Sequence, residues 1–112
     1  MKDDQIISPE VQLESSYLRI IRNTVAAGFP EVQRVILFGS RAMWKAGRGS
    51  DIDLAIQGKN VNRKTRLRLY DILNNETMIP YKVDILNLKT IRNNDLLQHI
   101  YRVGKVIYRK GE

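Results

Sequence analysis

The chain has 112 residues, no cysteine and a net charge of +7. That length makes one domain, residues 1–112, with apolar residues sufficient for one core, and the missing cysteines exclude a disulfide framework and a thiolate metal site. No apolar run is long enough to span a bilayer, and Met1-Lys2-Asp3-Asp4-Gln5 leads into no signal-peptide apolar region, so a soluble cytoplasmic protein without membrane attachment is expected.

Ser8-Pro9-Glu10 has the composition of a helix start, with Leu13, Tyr17, Ile21 and Val25 following at helical spacing and Gly28-Phe29-Pro30 as the stop. Val35 to Phe38 is a continuous apolar run and predicts a buried strand. Gly39-Ser40 breaks it, Arg41 to Lys45 suits a helical turn, and Lys45 to Ser50 reads as a flexible arm. Asp51 to Gln57 predicts a second strand. Asn62 to Leu73 predicts a basic amphipathic helix with Leu67, Leu69, Tyr70 and Leu73 inward, ended by Asn74-Asn75. Tyr81 to Leu86 predicts a third strand. A last helix is expected from a Thr90 cap through Arg102, stopped by Gly104, with Lys105 to Tyr108 as an edge strand. The fold class is therefore α+β (α/β): a small mixed sheet with helices packed on one side.

The positive charge draws the chain toward polyanions. It is concentrated in Arg63, Lys64, Arg66 and Arg68, and in Lys82, Lys89, Arg92, Arg102, Lys105, Arg109 and Lys110. Such runs read first as solvated helix faces, and the aromatic interleaving of a single-strand stacking platform is missing, so nucleic acid is not a required partner.

The acidic residues carry more information. Asp51 and Asp53 are two apart, so a strand turns both to one face while Ile52, Leu54 and Ile56 enter the core. Asp84 stands in a similar apolar strand, between Val83 and Ile85. If those strands are neighbours, three carboxylates converge. Such a group repels itself unless a divalent cation sits among it, and Mg2+ accepts carboxylate, phosphate and water oxygens. Two such ions suit an in-line displacement at phosphorus. Gly39-Ser40 supplies a small-residue turn where backbone N–H groups can approach phosphate; Ser40 adds a hydroxyl, and Arg41 can contact phosphate or pair with a carboxylate.

Gly39-Ser40, the interval to Asp51-Ile52-Asp53 and the later Asp84 resemble the signature of the DNA polymerase β-type nucleotidyltransferases, and the short length resembles their minimal members. The resemblance runs from about Val32 to Tyr108. It implies the nucleotidyltransferase fold, triphosphate binding by Gly39 and Ser40, and two Mg2+ ions held by Asp51, Asp53 and Asp84 as catalytic residues. The implied activity is transfer of a nucleoside monophosphate, AMP from ATP, to a hydroxyl. Many minimal members pair with a HEPN-domain protein, and the chain is similar to antitoxins that attach AMP to a tyrosine of a HEPN toxin, which implies a hetero-oligomer beside any homo-oligomer. Two alternatives stand beside it: a non-catalytic module that neutralises a partner by covering it, and an aminoglycoside-type small-molecule nucleotidyltransferase.

The chain departs from the family in its loop. Where members often read Gly-Ser-Arg-Ala-Arg-Gly, it has Met43-Trp44 after Ala42. Trp44 is expected to pack over the first helix, the other reading being an exposed base or partner contact. Arg92, His99 and Tyr101 loosely resemble the Arg…His-x-Tyr of HEPN ribonucleases at a longer spacing; His99 is expected to be solvated or packed, and Tyr101 to lie in the core.

Overall fold

The structure, a computed structural model, describes residues 10–111. Its elements are α1 (Ser15–Gly28), β1 (Arg34–Phe38), β2 (Ile52–Gln57), α2 (Arg63–Asn75), β3 (Val83–Asn87), α3 (Asn94–Val103) and β4 (Lys105–Arg109), with single 3-10 turns at Gly39–Arg41 and Leu88–Thr90. The strands form one sheet in the order β3-β2-β1-β4. β1 runs antiparallel to β2 and to β4, whereas β2 and β3 are parallel. A parallel pair needs a long crossover, and α2 provides it.

Strand alternation sorts the apolar residues into two layers. Val35, Leu37, Ile52, Leu54, Ile56, Val83 and Ile85 meet Leu18, Ile21 and Val25 of α1 and Leu69 and Leu73 of α2 in the main core. Ile36, Phe38 and Ala55 point the other way and meet Leu88 and Ile100. The two longer helices thus share one side of the mixed sheet, as expected, and the short α3 covers part of the opposite side. By alternation that opposite side is the one carrying Asp53.

Local chemistry explains the element ends. Asn62 caps α2 in a reciprocal box: its Oδ1 accepts from the Thr65 N–H at 3.0 Å, and Thr65 Oγ1 accepts from the Asn62 N–H at 3.3 Å. Asn93, not Thr90, caps α3, accepting from the Leu96 N–H at 3.1 Å, because Thr90 closes the preceding 3-10 turn. Of the expected first-helix start, Ser8 and Pro9 lie outside the described residues; α1 begins at Ser15, and Leu13 is buried ahead of it. Asp51 precedes β2, and Tyr81 and Lys82 precede β3. The Lys45–Ser50 arm is tied down rather than free. Gln12 Nε2 donates to Ala46 O and Gln12 Oε1 accepts from the Ala46 N–H, while Ser50 Oγ accepts from the Gly47 N–H.

One side chain fixes where β3 starts. Asn74, in the last turn of α2, donates to Val83 O and accepts from the Val83 N–H, each at 2.8 Å. This mimics a strand pairing one residue before Asp84.

Leu67 is a correction to the expected inner face of α2. It is 44% exposed, whereas Leu69 is wholly buried. The helix rotates Leu67 away from the stripe formed by Leu69 and Leu73. Leu69→Ala is expected to lower unfolding stability by about 2–5 kcal/mol, and Leu67→Ala to change it by no more than about 0.5 kcal/mol; urea denaturation of the two variants checks this difference.

Candidate active site

The parallel register sets Asp53 directly opposite Asp84. Adjacent strands lie about 4.8 Å apart, so the two carboxylates leave the sheet side by side on one face. Across the other edge of β2, Asp53 pairs with Phe38, the residue before Gly39. The end of β1 and the starts of β2 and β3 therefore bring Gly39, Asp53 and Asp84 to one place. Asp51 stands exposed just before β2, close enough to raise the pKa of Asp53.

Gly39 has a φ of +74°, in the left-handed region. A Cβ there would lie 2.3 Å from Asp53 Oδ2, so the position excludes a side chain for two independent reasons. Ser40 follows it, half-buried, in the 3-10 turn. The Gly39 N–H donates to Nε2 of His99 at 3.3 Å, and the imidazole meets the Phe38 ring edge-on with centroids 6.1 Å apart. His99, expected to be solvated or merely packed, thus belongs to the site. A signal for it exists in the sequence: Leu96, His99, Ile100 and Val103 fall on one helical stripe, and a titratable residue on that stripe faces the sheet.

Arg41 is turned to a different task from the expected contact with phosphate or carboxylate. It is 5% exposed. Its Nε and Nη2 donate to Ser50 O at 3.1 and 2.8 Å, and its Nη1 donates to Gln12 O at 2.9 Å. The guanidinium also lies 4.1 Å from the centre of the Tyr81 ring. Tyr81 in turn donates to Glu14 Oε2 at 2.8 Å and packs edge-on against Tyr17. Arg41 therefore anchors the backbone immediately before Asp51. Trp44 is a further correction: it is 49% exposed with a φ of +57°, beside Lys105 and Val106 rather than packed over the first helix. Tyr101 is 64% exposed and lies outside the core.

Burial pushes the Asp53 carboxyl above its usual range, and the neighbouring Asp84 and Asp51 push it further; His99 and Arg41 oppose the rise. Lys82 Nζ stands 3.5 Å from Asp84 Oδ1, and that carboxylate holds the ammonium above its ordinary pKa. A cleft of about 330 Å3 opens at these residues, lined by Phe38, Asp53, Asp84 and Leu86 and reaching Arg66 and Tyr70. Among the described residues, no three His, Asp or Glu side chains form a ready-made metal cage. The donor set nonetheless suits Mg2+, which takes one or two carboxylates and completes its shell with phosphate and water; Asp53 and Asp84, at opposed register positions on one face, are such a pair. No helix among the described residues is long and apolar enough to cross a membrane.

The family profile described as polymerase beta, nucleotidyltransferase matches residues 21–112. No curated protein matches the chain significantly. Among solved structures, a chain of a toxin–antitoxin complex with AMP-PNP is 23% identical with a TM-score of 0.68, covering 88% of this chain and 76% of that one. A chain of the MntA–HepT toxin–antitoxin structure is 22% identical, with a TM-score of 0.65 over 85% of this chain and 72% of that one. The structure of a tri-AMPylated Shewanella oneidensis HEPN toxin in complex with an MNT antitoxin contains a chain 21% identical, with a TM-score of 0.59 over 83% and 73% of the two lengths. At these identities the likeness establishes the fold.

The raised Asp53 pKa carries a sign for stability. The folded state binds this proton more tightly than the unfolded state, so ionised Asp53 disfavours folding above its folded pKa, and the penalty fades as pH falls through that pKa toward the unfolded value of 3.8. Without divalent ions, Asp53→Asn is expected to melt a few degrees higher than the wild type at neutral pH, with the gap closing in acid. Thermal denaturation followed by circular dichroism across pH measures this; a variant melting lower at every pH would refute the repulsion.

Proposed function

The chain belongs to the polymerase beta nucleotidyltransferase family, and from that premise we propose that it transfers AMP from ATP to a hydroxyl of a partner protein, a tyrosine of a HEPN-domain toxin. The observation that carries this reading is the register of Asp53 against Asp84 beside Gly39. Carboxylates so placed, next to a turn that admits no side chain, suit a triphosphate and a divalent cation better than any purely structural use. The HEPN acceptor rests on likeness of fold to chains in toxin–antitoxin complexes, one with AMP-PNP and one with an AMPylated HEPN toxin.

In this reading, Asp51, Asp53 and Asp84 would hold Mg2+. Bound there, Mg2+ would supply positive charge for the oxygens entering and leaving phosphorus. The residues of the chain do the rest. The Gly39 N–H and the Ser40 hydroxyl donate to phosphate oxygens. Asp84, at the cleft, accepts the proton of the acceptor hydroxyl; a bond forms from that oxygen to the α-phosphorus, and the bond to pyrophosphate breaks. Arg41 keeps the chain before Asp51 in place through Ser50 O. Lys82 Nζ, 3.5 Å from Asp84 Oδ1, places a positive charge at the cleft where it would serve the departing pyrophosphate.

A second reading, neutralisation by covering alone, is favoured by the exposed Trp44, Met78 and Tyr101, side chains of the kind that protein contacts bury. The two readings separate on whether neutralisation of the partner survives the loss of Asp51 and Asp53.

With Mg2+, α-labelled ATP and a lysate of the producing cells, the wild-type chain is expected to label one protein band. Asp53→Asn is expected to reduce the labelling rate at least about a hundredfold, since the charge it holds is worth several kcal/mol in the transition state. Equal labelling by the variant overturns the site assignment; saturable ATP binding without any labelled protein overturns the protein acceptor.

A further inference from the structure

His99 is the only histidine in the chain, and it reaches the phosphate loop from the opposite end of the sequence. Its Nε2 accepts the Gly39 N–H, so that nitrogen is unprotonated and the ring proton sits on Nδ1. The Gly39 N–H is a single donor and cannot serve two acceptors at full strength. Resting on the nucleotidyltransferase reading above, we propose that His99 is a placeholder in the phosphate site: its imidazole occupies the Gly39 N–H until a triphosphate oxygen takes it, and the ring then turns away.

The surroundings explain why an imidazole suits this task. Gly39 is pressed against the carboxylate of Asp53, and Asp84 stands opposite Asp53. A carboxylate acceptor at position 99 would add a further negative charge to that group. A neutral imidazole satisfies the donor without doing so. It also leaves readily, because a neutral hydrogen bond is weaker than the charge-assisted bond a phosphate oxygen makes to the same N–H.

Ile100 and the helix end at Gly104 hold α3 against the sheet, which places the movement in the side chain. Ile100 is buried against Ile36 and Phe38. Gly104 ends the helix so closely against the sheet that an added Cβ would lie 2.3 Å from Ile100 O and 2.7 Å from Ile36 Cγ2. His99 itself is only half-buried, with its ring at the edge of Phe38, so a change of rotamer breaks one hydrogen bond and one ring contact.

The test pairs calorimetry with NMR, using Mg2+ and a non-hydrolysable ATP analogue above the ordinary histidine pKa. His99→Ala is expected to bind the analogue about two- to tenfold more tightly than the wild type, since no neutral hydrogen bond must first be broken. His99→Gln, whose side-chain oxygen can accept the same N–H, is expected to return the affinity toward the wild-type value. In the 15N-labelled wild type, the lone imidazole Nε2 and the Gly39 amide are expected to shift together as the analogue saturates. Equal or weaker binding by the alanine variant, or an Nε2 resonance that stays in place at saturation, overturns the proposal. Binding by His99→Ala but not by the wild type supports it in a stronger form. Binding by neither protein overturns the nucleotidyltransferase reading, and this proposal with it.

Discussion

The parallel pairing of β2 with β3 sets Asp53 opposite Asp84, and like charges at adjacent register positions repel. The fold relieves that repulsion only in part, through Lys82 at 3.5 Å from Asp84 Oδ1. Burial and the two neighbouring acids all work against ionisation of Asp53, and His99 and the Arg41 guanidinium oppose that effect. The pairing therefore leaves a local deficit of positive charge on one face of a well-packed sheet. A cation-bearing triphosphate is the kind of ligand that fills such a deficit.

The scaffold around this pair is built to keep it from relaxing. Asn74 clamps the start of β3 from α2, and the Ile52 N–H donates to Lys82 O on the neighbouring segment. Arg41 and Gln12 hold the loop between β1 and β2 through backbone carbonyls, so the chain reaches Asp51 along a fixed path. Behind Asp53, Leu54 and Ile56 are wholly buried between strands and helices. A strand locked on its rear face cannot turn its carboxylates apart. Rigidity on one side and unbalanced charge on the other are two consequences of a single alternating strand.

Arg41 and Lys45–Ser50 show how sequence position alone misleads about role. An arginine after Gly-Ser reads as a phosphate ligand because charge and proximity both favour it. In the fold its donors are taken by Ser50 O and Gln12 O, partners 9 and 29 residues away along the chain. A Gly-rich arm reads as flexible because glycine removes local restraint, yet its restraints come from Gln12, over thirty residues distant. The Leu67 error has a different origin: two leucines two apart on a helix point in different directions, and only the packed neighbours reveal which direction is inward.

What the sequence determined by itself was periodic and local: the order of helices and strands, the buried run of β1, and the apolar faces of β2 and β3 opposite Asp53 and Asp84, because alternation and helical spacing depend on covalent geometry alone. It also placed Gly39 at a turn. Tertiary structure decided everything that depends on who is beside whom. It paired β2 with β3 so that Asp84 met Asp53, laid α3 over the acidic face so that His99 reached the Gly39 N–H, and drew Arg41 inward to the backbone. Those outcomes rest on strand order and helix docking, which arise from the burial of apolar surface across the whole chain; the stripe through His99 says only that it faces the sheet, not which backbone group it meets.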